Sequence, residues 1–373
     1  MPKFFEFFSG GGMARLGLGG EWKCQFANDI CAKKVSTYIE NFGDDEILKE
    51  DIYKLNASNL PGKADLIWGS FPCQDLSLAG NGAGLNGERS GTFKKLMSII
   101  KDLKVEKRQP NIIVLENVVG AITSHGGKDF EAIIEALSSL GYYTGGVVVD
   151  GASFVPQSRP RLFVIATKTP KTRFLTLISK EPNPEWHPSN LIKAHSALPE
   201  KLQKKWVWWS MPTPPKRDKN LVDIVEDNPT DVKELGTGEV KKLISMMSET
   251  NLEKLNQAKR ENGLVVGGLY KRVRKQKNGE KLQRAEVRFD GTAGCLRTPT
   301  GGSSRQTLVL VDNGEVKARL LSRREAARLM GVPDNYKLPS KYNDAYHVFG
   351  DGLVVPAVSW IEKHLLKPIQ EAS

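Results

Sequence analysis

The sequence predicts an α/β protein, built as a doubly wound sheet with a second, smaller domain. An aromatic strand ends in a glycine turn at residues 10–12 and a helical pattern follows, which is how nucleotide-binding α/β units open. Apolar strands then alternate with helical patterns as far as Thr167. Beyond Thr167, proline, tryptophan and lysine become frequent and the periodicity weakens, which indicates a domain boundary.

The alternation defines the elements of the first domain. Residues 111–115 are apolar without interruption, which is typical of a parallel strand covered on both faces. The predicted strands are residues 4–8, 25–30, 65–68, 111–115, 144–149 and 162–166, and the predicted helices are residues 32–41, 90–103 and 128–139.

The second domain is predicted from weaker signals. Residues 235–259 have a helical pattern, and residues 263–273 and 283–289 read as strands around an Asn278-Gly279 turn. The tryptophans at 206, 208 and 209 suit either stacking on bases or the core of a small domain. Ser322 and Glu325 form a capping box before a short helix, and a terminal helix is apolar on one side.

Charge is concentrated in one region of the 373-residue chain. Residues 168–305 contain 27 Lys and Arg against 16 Asp and Glu, and so account for the whole net charge of +11. The densest cluster spans residues 271–277, and residues 292–305 add small donors and backbone amides suited to phosphates. A polyanion partner is one interpretation of this region, and a solvated basic face is the other.

Composition argues against several classes of protein. The four cysteines are scattered, so neither a disulfide framework nor a zinc spacing is present and no metal site is expected. No apolar run is long enough to span a bilayer, and Met1-Pro2-Lys3-Phe4 lacks a signal-peptide pattern. We therefore expect a cytoplasmic protein.

Cys73 is the first candidate for chemistry. It follows the strand at residues 65–68 and a Gly69-Ser70 turn, and it is held between Pro72 and Gln74. The proline removes one backbone freedom before the thiol, which suits a nucleophile with a fixed direction. The glycine-rich residues 77–92 predict a loop that closes over a substrate. The alternative is that Cys73 is a small buried residue.

Three acidic residues are further candidates for ligand binding. Two of them end predicted strands, and the third precedes a short apolar segment. Asp29 lies about 20 residues after the glycine turn, where ribose-binding carboxylates occur, although it could also cap the helix at 32–41. Asp51 could bond an adenine amino group. Glu116 ends the apolar strand at the edge where α/β sheets bind ligands, and its alternative role is to anchor a loop.

Six motifs in this order resemble the DNA (cytosine-5)-methyltransferases. They cover nearly the whole chain apart from its variable middle, and they are Phe8-Ser9-Gly10-Gly11-Gly12, Pro72-Cys73-Gln74, Glu116-Asn117-Val118, Gln157-Ser158-Arg159-Pro160-Arg161, residues 321–336 and residues 350–355. The resemblance implies an S-adenosylmethionine-dependent methyltransferase sheet with a smaller inserted target-recognition domain. Residues 1–167 would be the N-terminal part of the catalytic domain, residues 168–343 the recognition domain, and residues 344–373 a return to the catalytic domain.

The resemblance also implies roles for individual residues. Cys73 would add to C6 of a flipped-out cytosine, Glu116 would bind or protonate N3, and Arg161 and Arg159 would contact the base. The cofactor would be S-adenosylmethionine, converted to S-adenosylhomocysteine, with no metal. Its implied contacts are Phe8, Gly10, Gly12, Asp29, Ile30, Asp51, Ile52, Pro72, Asp351 and Leu353. The implied DNA contacts are Ser77, Arg89, Gln157, Arg272, Arg274, Arg297 and Arg305.

Two positions depart from the family pattern. Asp351 stands where the family commonly has asparagine, and Met13 stands where glycine is frequent. Neither position touches the implied nucleophile, so the departures concern cofactor binding and leave the expected activity intact.

The expected partner is double-stranded DNA, bound by a monomer that associates with the nucleoid, with a cognate restriction endonuclease as a further possible partner. A transfer-RNA cytosine methyltransferase shares the catalytic motifs, but its chain usually lacks a long basic insert. A catalytically silent DNA-binding relative would typically have lost Cys73 or Glu116. A dinucleotide-dependent oxidoreductase explains only the glycine turn.

Overall fold

The computed structural model describes residues 1–72, 91–169, 171–275, 279–298 and 305–373. The backbone groups into two compact units. The first comprises Met1–Asp150, Pro160–Pro214 and Val355–Ser373, and the second comprises Gly151–Arg159 and Pro215–Val354. Among the described residues, no helix has the length and apolarity that crossing a membrane requires.

A seven-stranded sheet forms the centre of the first unit. Its strands are β1 (Lys3–Phe7), β2 (Lys23–Asp29), β3 (Ile47–Lys49), β4 (Leu66–Gly69), β5 (Ile112–Val118), β6 (Tyr143–Asp150) and β7 (Pro160–Thr167). They lie in the order β3-β2-β1-β4-β5-β7-β6. The five strands from β3 to β5 are parallel, whereas β7 runs antiparallel to both β5 and β6. The chain reverses from β6 into β7 without a crossover helix, which is the connection that antiparallel neighbours allow.

Helices cover the sheet as the sequence predicts. They are α1 (Met13–Leu18), α2 (Ala32–Phe42), α3 (Gly91–Val105) and α4 (Lys128–Ser139). Leu96 and Ile100 of α3 join Ile67 and Ile113 of the sheet in one buried cluster. Every residue of β4 is buried, which explains why its sequence is apolar without alternation.

The chain from 171 to 214 packs in the first unit, although its composition suggested that a new domain begins at 168. Its elements are β8 (Ile178–Ser179), α5 (Ser189–Ser196), α6 (Glu200–Gln203) and β9 (Trp208–Trp209). The Trp209 indole donates to Ile165 O (3.1 Å), and Trp206 packs edge-on against Phe130. A Cβ on Gly145 would lie 2.1 Å from Val207 O, so only glycine lets this segment approach β6. The tryptophans thus extend the core of the sheet.

The C-terminal helices also belong to the first unit. They are α11 (Val355–Ile361), a π-helical turn (Glu362–Leu366) and α12 (Lys367–Glu371). Ser359 Oγ donates to Gly17 O (2.9 Å), and the Trp22 indole donates to Glu362 Oε1 (2.9 Å). Helix α11 therefore packs against α1, near the start of the chain.

The second unit is built on an antiparallel sheet of four strands. These are β10 (Leu264–Lys275), β11 (Lys281–Arg288), β12 (Thr307–Asp312) and β13 (Glu315–Leu320), in the order β11-β10-β12-β13. Its helices are α7 (Thr237–Ser245), α8 (Glu249–Ala258), α9 (Arg323–Arg328) and α10 (Tyr342–Asp351). Leu243 and Leu255 pack with Leu269 and Val309 in its core.

The single helix expected over residues 235–259 is wrong, because the structure has two helices there. Ala285 N–H donates to Met246 O (3.1 Å), and Met247 bridges to Ala285. The backbone between α7 and α8 is thus held by the sheet, and a continuous helix could not make that bond. Ser322 does cap α9 as predicted, with its side chain accepting from Glu325 N–H (3.1 Å).

We predict that Gly17→Ala destabilises the protein by about 1–3 kcal/mol. A Cβ at Gly17 would lie 2.4 Å from Val358 Cβ, so α1 and α11 would have to separate. Gly20→Ala is the matched control, since nothing lies within 4 Å of a Cβ there. Denaturant unfolding of both variants measures the difference, and equal stabilities would contradict the proposed close packing.

Candidate active site

Four neighbouring parallel strands bring the candidate residues of the first unit to one edge of the sheet. The strands β2, β1, β4 and β5 are adjacent and parallel, so their carboxyl ends lie side by side. Open α/β sheets bind their ligands at this edge. Four candidate residues lie at or near these strand ends. Asp29 and Glu116 are among the last residues of β2 and β5, and Phe8 and Phe71 come just after β1 and β4.

The turn after β1 is tightly constrained. Phe8 has φ 59°, a left-handed conformation that is unfavourable for a bulky side chain. Gly10 also has positive φ (56°), and its N–H donates to Asp29 Oδ2 (2.9 Å). Nothing lies within 4 Å of the place where a Gly10 Cβ would be. A ligand can therefore approach the backbone of this turn directly.

Asp29 links the glycine turn to the start of α2. Its Oδ1 accepts from Cys31 N–H (2.8 Å), while Cys31 itself occupies the N-cap position. Asp29 therefore supports the helix start without being its N-cap residue. The neighbouring Ile30 side chain is 66% exposed, whereas Ile52 is buried. Asp51 Oδ1 accepts from Tyr53 N–H (3.0 Å), which caps the short turn that contains Ile52.

Glu116 and Arg161 form an ion pair at the end of β5. Arg161 Nε lies 3.2 Å from Glu116 Oε1, and their side chains are only 15% and 10% exposed. In the register of β5 with β7, Arg161 lies opposite Val118 and Phe163 opposite Glu116. The antiparallel direction of β7 thus brings together two residues that are 45 positions apart. A largely buried pair of this kind holds both side chains in a defined geometry.

Asn117 supports the chain that leads to Cys73. Its Nδ2 donates to Phe71 O (3.3 Å), and its Oδ1 accepts from Val118 N–H (2.8 Å). The sequence indicated Asn117 only as part of a motif, and the contact that explains it is tertiary. Cys73, Ser77 and Arg89 lie outside the described residues. Pro72, immediately before Cys73, is exposed.

Burial contradicts two of the predicted roles in the second unit. Gln157 is fully buried, so its side chain cannot reach DNA in this structure. Arg159 is 2% exposed, and its guanidinium donates to the backbone oxygens of Leu296, Gly350 and Gly352. These bonds commit Arg159 to the second unit itself, so it is not placed as a direct contact to the cytosine.

Four arginines expected to contact DNA belong to the second unit: Arg272, Arg274, Arg297 and Arg305. Arg272 and Arg274 are about half exposed and both pair with Glu286, at 3.4 and 2.5 Å. Arg272 lies opposite Arg284 across the β10–β11 hairpin, and two like charges that face each other are unfavourable without a counter-charge. Arg297 is also exposed, and Arg305 Nη2 donates to Asn343 Oδ1 (2.6 Å). Asp351 ends α10 and is exposed, whereas Leu353 is buried.

Glu6 is a buried acid that is not among the site residues predicted from the sequence. It lies in β1 between pairs of phenylalanines, and an acid in such a strand is itself the signal that could have found it. Burial raises its pKa to about 8, Arg15 opposes that rise and Asp29 adds to it. Cys24 and Tyr38 complete the titratable surroundings. Among the described residues, Glu6 Oε2 has no hydrogen-bond partner.

An open sheet with a glycine turn and strand-end acids at one edge is the arrangement typical of α/β enzymes that bind nucleotide-like cofactors. Residues 2–367 match the model of the family described as C-5 cytosine-specific DNA methylase. The chain belongs to this family, and the protein is a DNA (cytosine-5)-methyltransferase.

Curated relatives agree with that assignment. The chain is 27% identical to the type II methyltransferase M.BsuFI of Bacillus subtilis, over 95% of this chain and 70% of that protein. It is 26% identical to M.MspI of Moraxella sp, over 100% and 72% of the two chains. It is 24% identical to M.HhaI of Haemophilus parahaemolyticus, over 96% and 92%.

Solved structures share the fold. The S. pombe Dnmt2 methyltransferase superposes with a TM-score of 0.59 at 18% identity, covering 99% of both chains. A DNA modification methyltransferase encoded within an E. coli prophage superposes with a TM-score of 0.57 at 17% identity, covering 98% of this chain and 99% of that one. The predicted methyltransferase sheet is thereby confirmed.

We predict that Glu6→Gln removes a pH dependence from the stability of the protein. Burial raises the pKa of Glu6 from its ordinary value near 4.5 to about 8 in the folded chain. Its contribution to stability is therefore fully present below about pH 4.5 and is lost as the pH rises toward 8, at up to about 1.4 kcal/mol per pH unit. Thermal unfolding of wild type and variant from pH 5 to 9 measures this. Parallel profiles would contradict a raised pKa.

Proposed function

We propose that this methyltransferase transfers a methyl group from S-adenosylmethionine to C5 of a flipped-out cytosine in a specific duplex DNA sequence. The observation that carries the proposal is the Glu116–Arg161 ion pair, which lies at the ligand-binding edge of the sheet. The adjacent Asn117 holds Phe71, two residues before Cys73. An acid, a base-binding arginine and a thiol are the groups that this reaction needs.

The chemistry explains why those groups occur together. C5 of cytosine is a poor nucleophile, so the Cys73 thiolate first forms a bond to C6 while Glu116 binds or protonates N3. The electron pair of the C5–C6 bond is then available at C5, which would take the methyl group as its bond to the sulfur of S-adenosylmethionine breaks, leaving S-adenosylhomocysteine. A base such as water removes the C5 hydrogen as a proton, and Cys73 leaves as a thiolate as the C5–C6 double bond forms again.

Arg161 orients the base and holds Glu116 in place. Its Nη1 donates to Pro160 O (2.9 Å), while its Nε lies 3.2 Å from Glu116 Oε1. Two contacts thus fix the orientation of the guanidinium. A pre-positioned acid loses little entropy when the cytosine arrives. In this proposal Arg159 acts through the backbone that it binds and does not touch the base.

The residues of the first unit fit an adenosyl cofactor. Gly10 and Gly12 both have left-handed backbone. A carboxylate can accept about four hydrogen bonds, and the described bonds to Asp29 are those from Gly10 N–H and Cys31 N–H, so Asp29 can also accept from ribose hydroxyls. We propose that Phe8, Ile30, Asp51, Ile52 and Pro72 complete this set, and that Asp351 and Leu353 contribute as the resemblance implies. When bound, the cofactor supplies a methyl group on a positively charged sulfur.

Duplex DNA is the proposed substrate because the basic excess is presented at a surface. A target base cannot be reached inside a duplex, so it must leave the stack, with Ser77 and Arg89 contacting the backbone phosphates. The β10–β11 hairpin exposes Arg272 and Arg274, and a two-stranded ribbon fits the major groove. Arg297 and Arg305 are further proposed contacts, and both belong to the second unit. We propose that the recognition domain expected at residues 168–343 lies in this unit from Pro215 onward, because residues 171–214 pack in the first unit.

The cellular setting is proposed from the same activity. We propose a monomer in the cytoplasm that associates with the nucleoid through DNA. The relatives named above are type II methyltransferases, which favours a partnership with a restriction endonuclease.

Transfer of labelled methyl from S-adenosylmethionine to duplex DNA and, in parallel, to bulk transfer RNA tests the proposed function. We expect incorporation into DNA by the wild type and a loss of about 1,000-fold or more in Cys73→Ala, because the substitution removes the thiol that activates C5. Cys24→Ala is the control, since that cysteine is buried in the core. Labelling of transfer RNA alone would move the protein to the RNA-modifying class. DNA binding without any labelling would indicate a silent relative.

We predict that Arg272→Gln with Arg274→Gln weakens DNA binding mainly by removing phosphate contacts. The slope of log K against log salt concentration should become shallower by about 2, one for each lost contact. Lys317→Gln is the matched control, because this half-exposed residue lies on β13, the far edge strand of the same sheet. An unchanged slope in the arginine variant would contradict a role for this hairpin in DNA binding.

A further inference from the structure

The segment at residues 293–298 is shaped by the short stretch 156–159. Ala293 N–H donates to Pro156 O (2.8 Å), and Ser158 N–H donates to Ala293 O (3.0 Å). The two stretches thus pair through their backbones at one residue, within the second unit. No helix or strand contains residues 293–298, so the conformation of this segment is not held by the hydrogen bonds of regular secondary structure. The bonds to Pro156 and Ser158 hold it instead.

Two buried side chains then bind both polar groups of one peptide residue. Gln157 Oε1 accepts from Leu296 N–H (2.8 Å), and Arg159 Nη1 donates to Leu296 O (2.9 Å). Leu296, Gln157 and Arg159 are each at most 2% exposed. Buried backbone groups need partners, so the conformation of this segment depends on these two side chains.

Both side chains are anchored at their other ends. Gln157 Nε2 donates to Leu329 O (2.7 Å), just after α9. Arg159 Nη2 donates to Gly350 O (2.8 Å) and Gly352 O (2.7 Å) at the end of α10. With a partner at each end, neither side chain can change rotamer without leaving a buried polar group unsatisfied.

The backbone beyond Leu296 is equally confined. A Cβ on Gly350 would lie 2.8 Å from Thr298 N and 2.9 Å from the Arg297 carbonyl carbon, so the two backbones are in direct contact. Arg297 is the exposed residue of the segment. Its backbone is held on one side through Leu296 and on the other by Gly350. The direction of the Arg297 side chain is therefore determined by residues that are themselves buried.

We infer that Gln157 and Arg159 are positioning residues for sequence specificity, which set the direction of Arg297 without touching DNA. The inference rests on the proposed function, in which Arg297 contacts DNA. An arginine discriminates between bases by the geometry of its hydrogen bonds, so a small displacement of its backbone reduces the difference between right and wrong sites more than it reduces binding.

The two positioning residues differ in one testable respect. Arg159 also holds Gly350 and Gly352, which flank Asp351, a residue assigned to the cofactor. A lysine cannot replace the fork of a guanidinium, so Arg159→Lys should lower discrimination and also raise KM for S-adenosylmethionine. Gln157 makes no contact with residues 350–352 among its described bonds, so Gln157→Leu should lower discrimination alone.

The experiment is methylation of a random-sequence duplex library followed by base-resolution sequencing. For each variant it gives the ratio of methylation at the preferred site to methylation at sites with one changed base. We expect this ratio to fall about 10-fold or more in Gln157→Leu, Arg159→Lys and Arg297→Ala. Substitution of the buried Gln157 or Arg159 could impair folding. Arg297 is exposed, so Arg297→Ala tests specificity without that complication.

The control is Arg319→Lys, another buried arginine of the second unit, paired with Glu325 and without bonds to residues 293–298. It should lose stability but keep the wild-type ratio. The double variant Gln157→Leu/Arg297→Ala should discriminate no worse than Arg297→Ala, since both changes act through one contact.

Several outcomes would overturn the inference. Variants that lose activity but keep the wild-type ratio would show that Gln157 and Arg159 serve stability alone. An equal loss of discrimination in Arg319→Lys would show that any loosening of this unit has the same effect. Absence of DNA methylation by the wild type would overturn the proposed function and this inference with it, whereas the other two outcomes leave the proposed function standing.

Discussion

The antiparallel pairing of β7 with β5 is the constraint on which the candidate active site depends. Parallel strands alone would align the ends of β5 and its neighbours but would leave Arg161 at the opposite edge. Because β7 runs the other way, its first residues meet the last residues of β5, and Arg161 pairs with Glu116. Glu116, the proposed catalytic acid, and Arg161 are therefore held by the ladder of hydrogen bonds in the sheet.

Buried polar groups provide much of the remaining definition. The Glu116–Arg161 and Arg319–Glu325 pairs and the Gln157 and Arg159 side chains all sit where desolvation is expensive. Such groups add little net stability, because desolvation offsets much of their attraction. They do penalise every arrangement that leaves them unpaired, which favours one geometry over its near neighbours. Glu6 differs from these groups, because its Oε2 has no hydrogen-bond partner among the described residues and burial instead raises the pKa of its carboxyl.

Local patterns predicted the sheet well because strands and helices follow the periodicity of apolar residues. The strands at 65–68 and 111–115 and the helix at 128–139 lie within a few residues of the observed elements. The glycine turn was also expected from the sequence, whereas the bond from Gly10 N–H to Asp29 is visible only in the structure. Where a tertiary bond competes with local propensity the prediction was wrong: the helix at 235–259 is broken because Met246 O accepts a bond from β11.

The sequence by itself determined the class of fold, the order of the motifs and the residue types that cytosine methylation requires, because these depend on periodicity and on chemistry that a side chain carries with it. Tertiary structure decided which polar residues lie at the candidate site and which serve as internal supports. Gln157, Arg159 and Arg161 belong to one motif and look alike in sequence. Burial separates them, since Arg161 meets Glu116 at the sheet edge while the other two bind backbone carbonyls in the second unit.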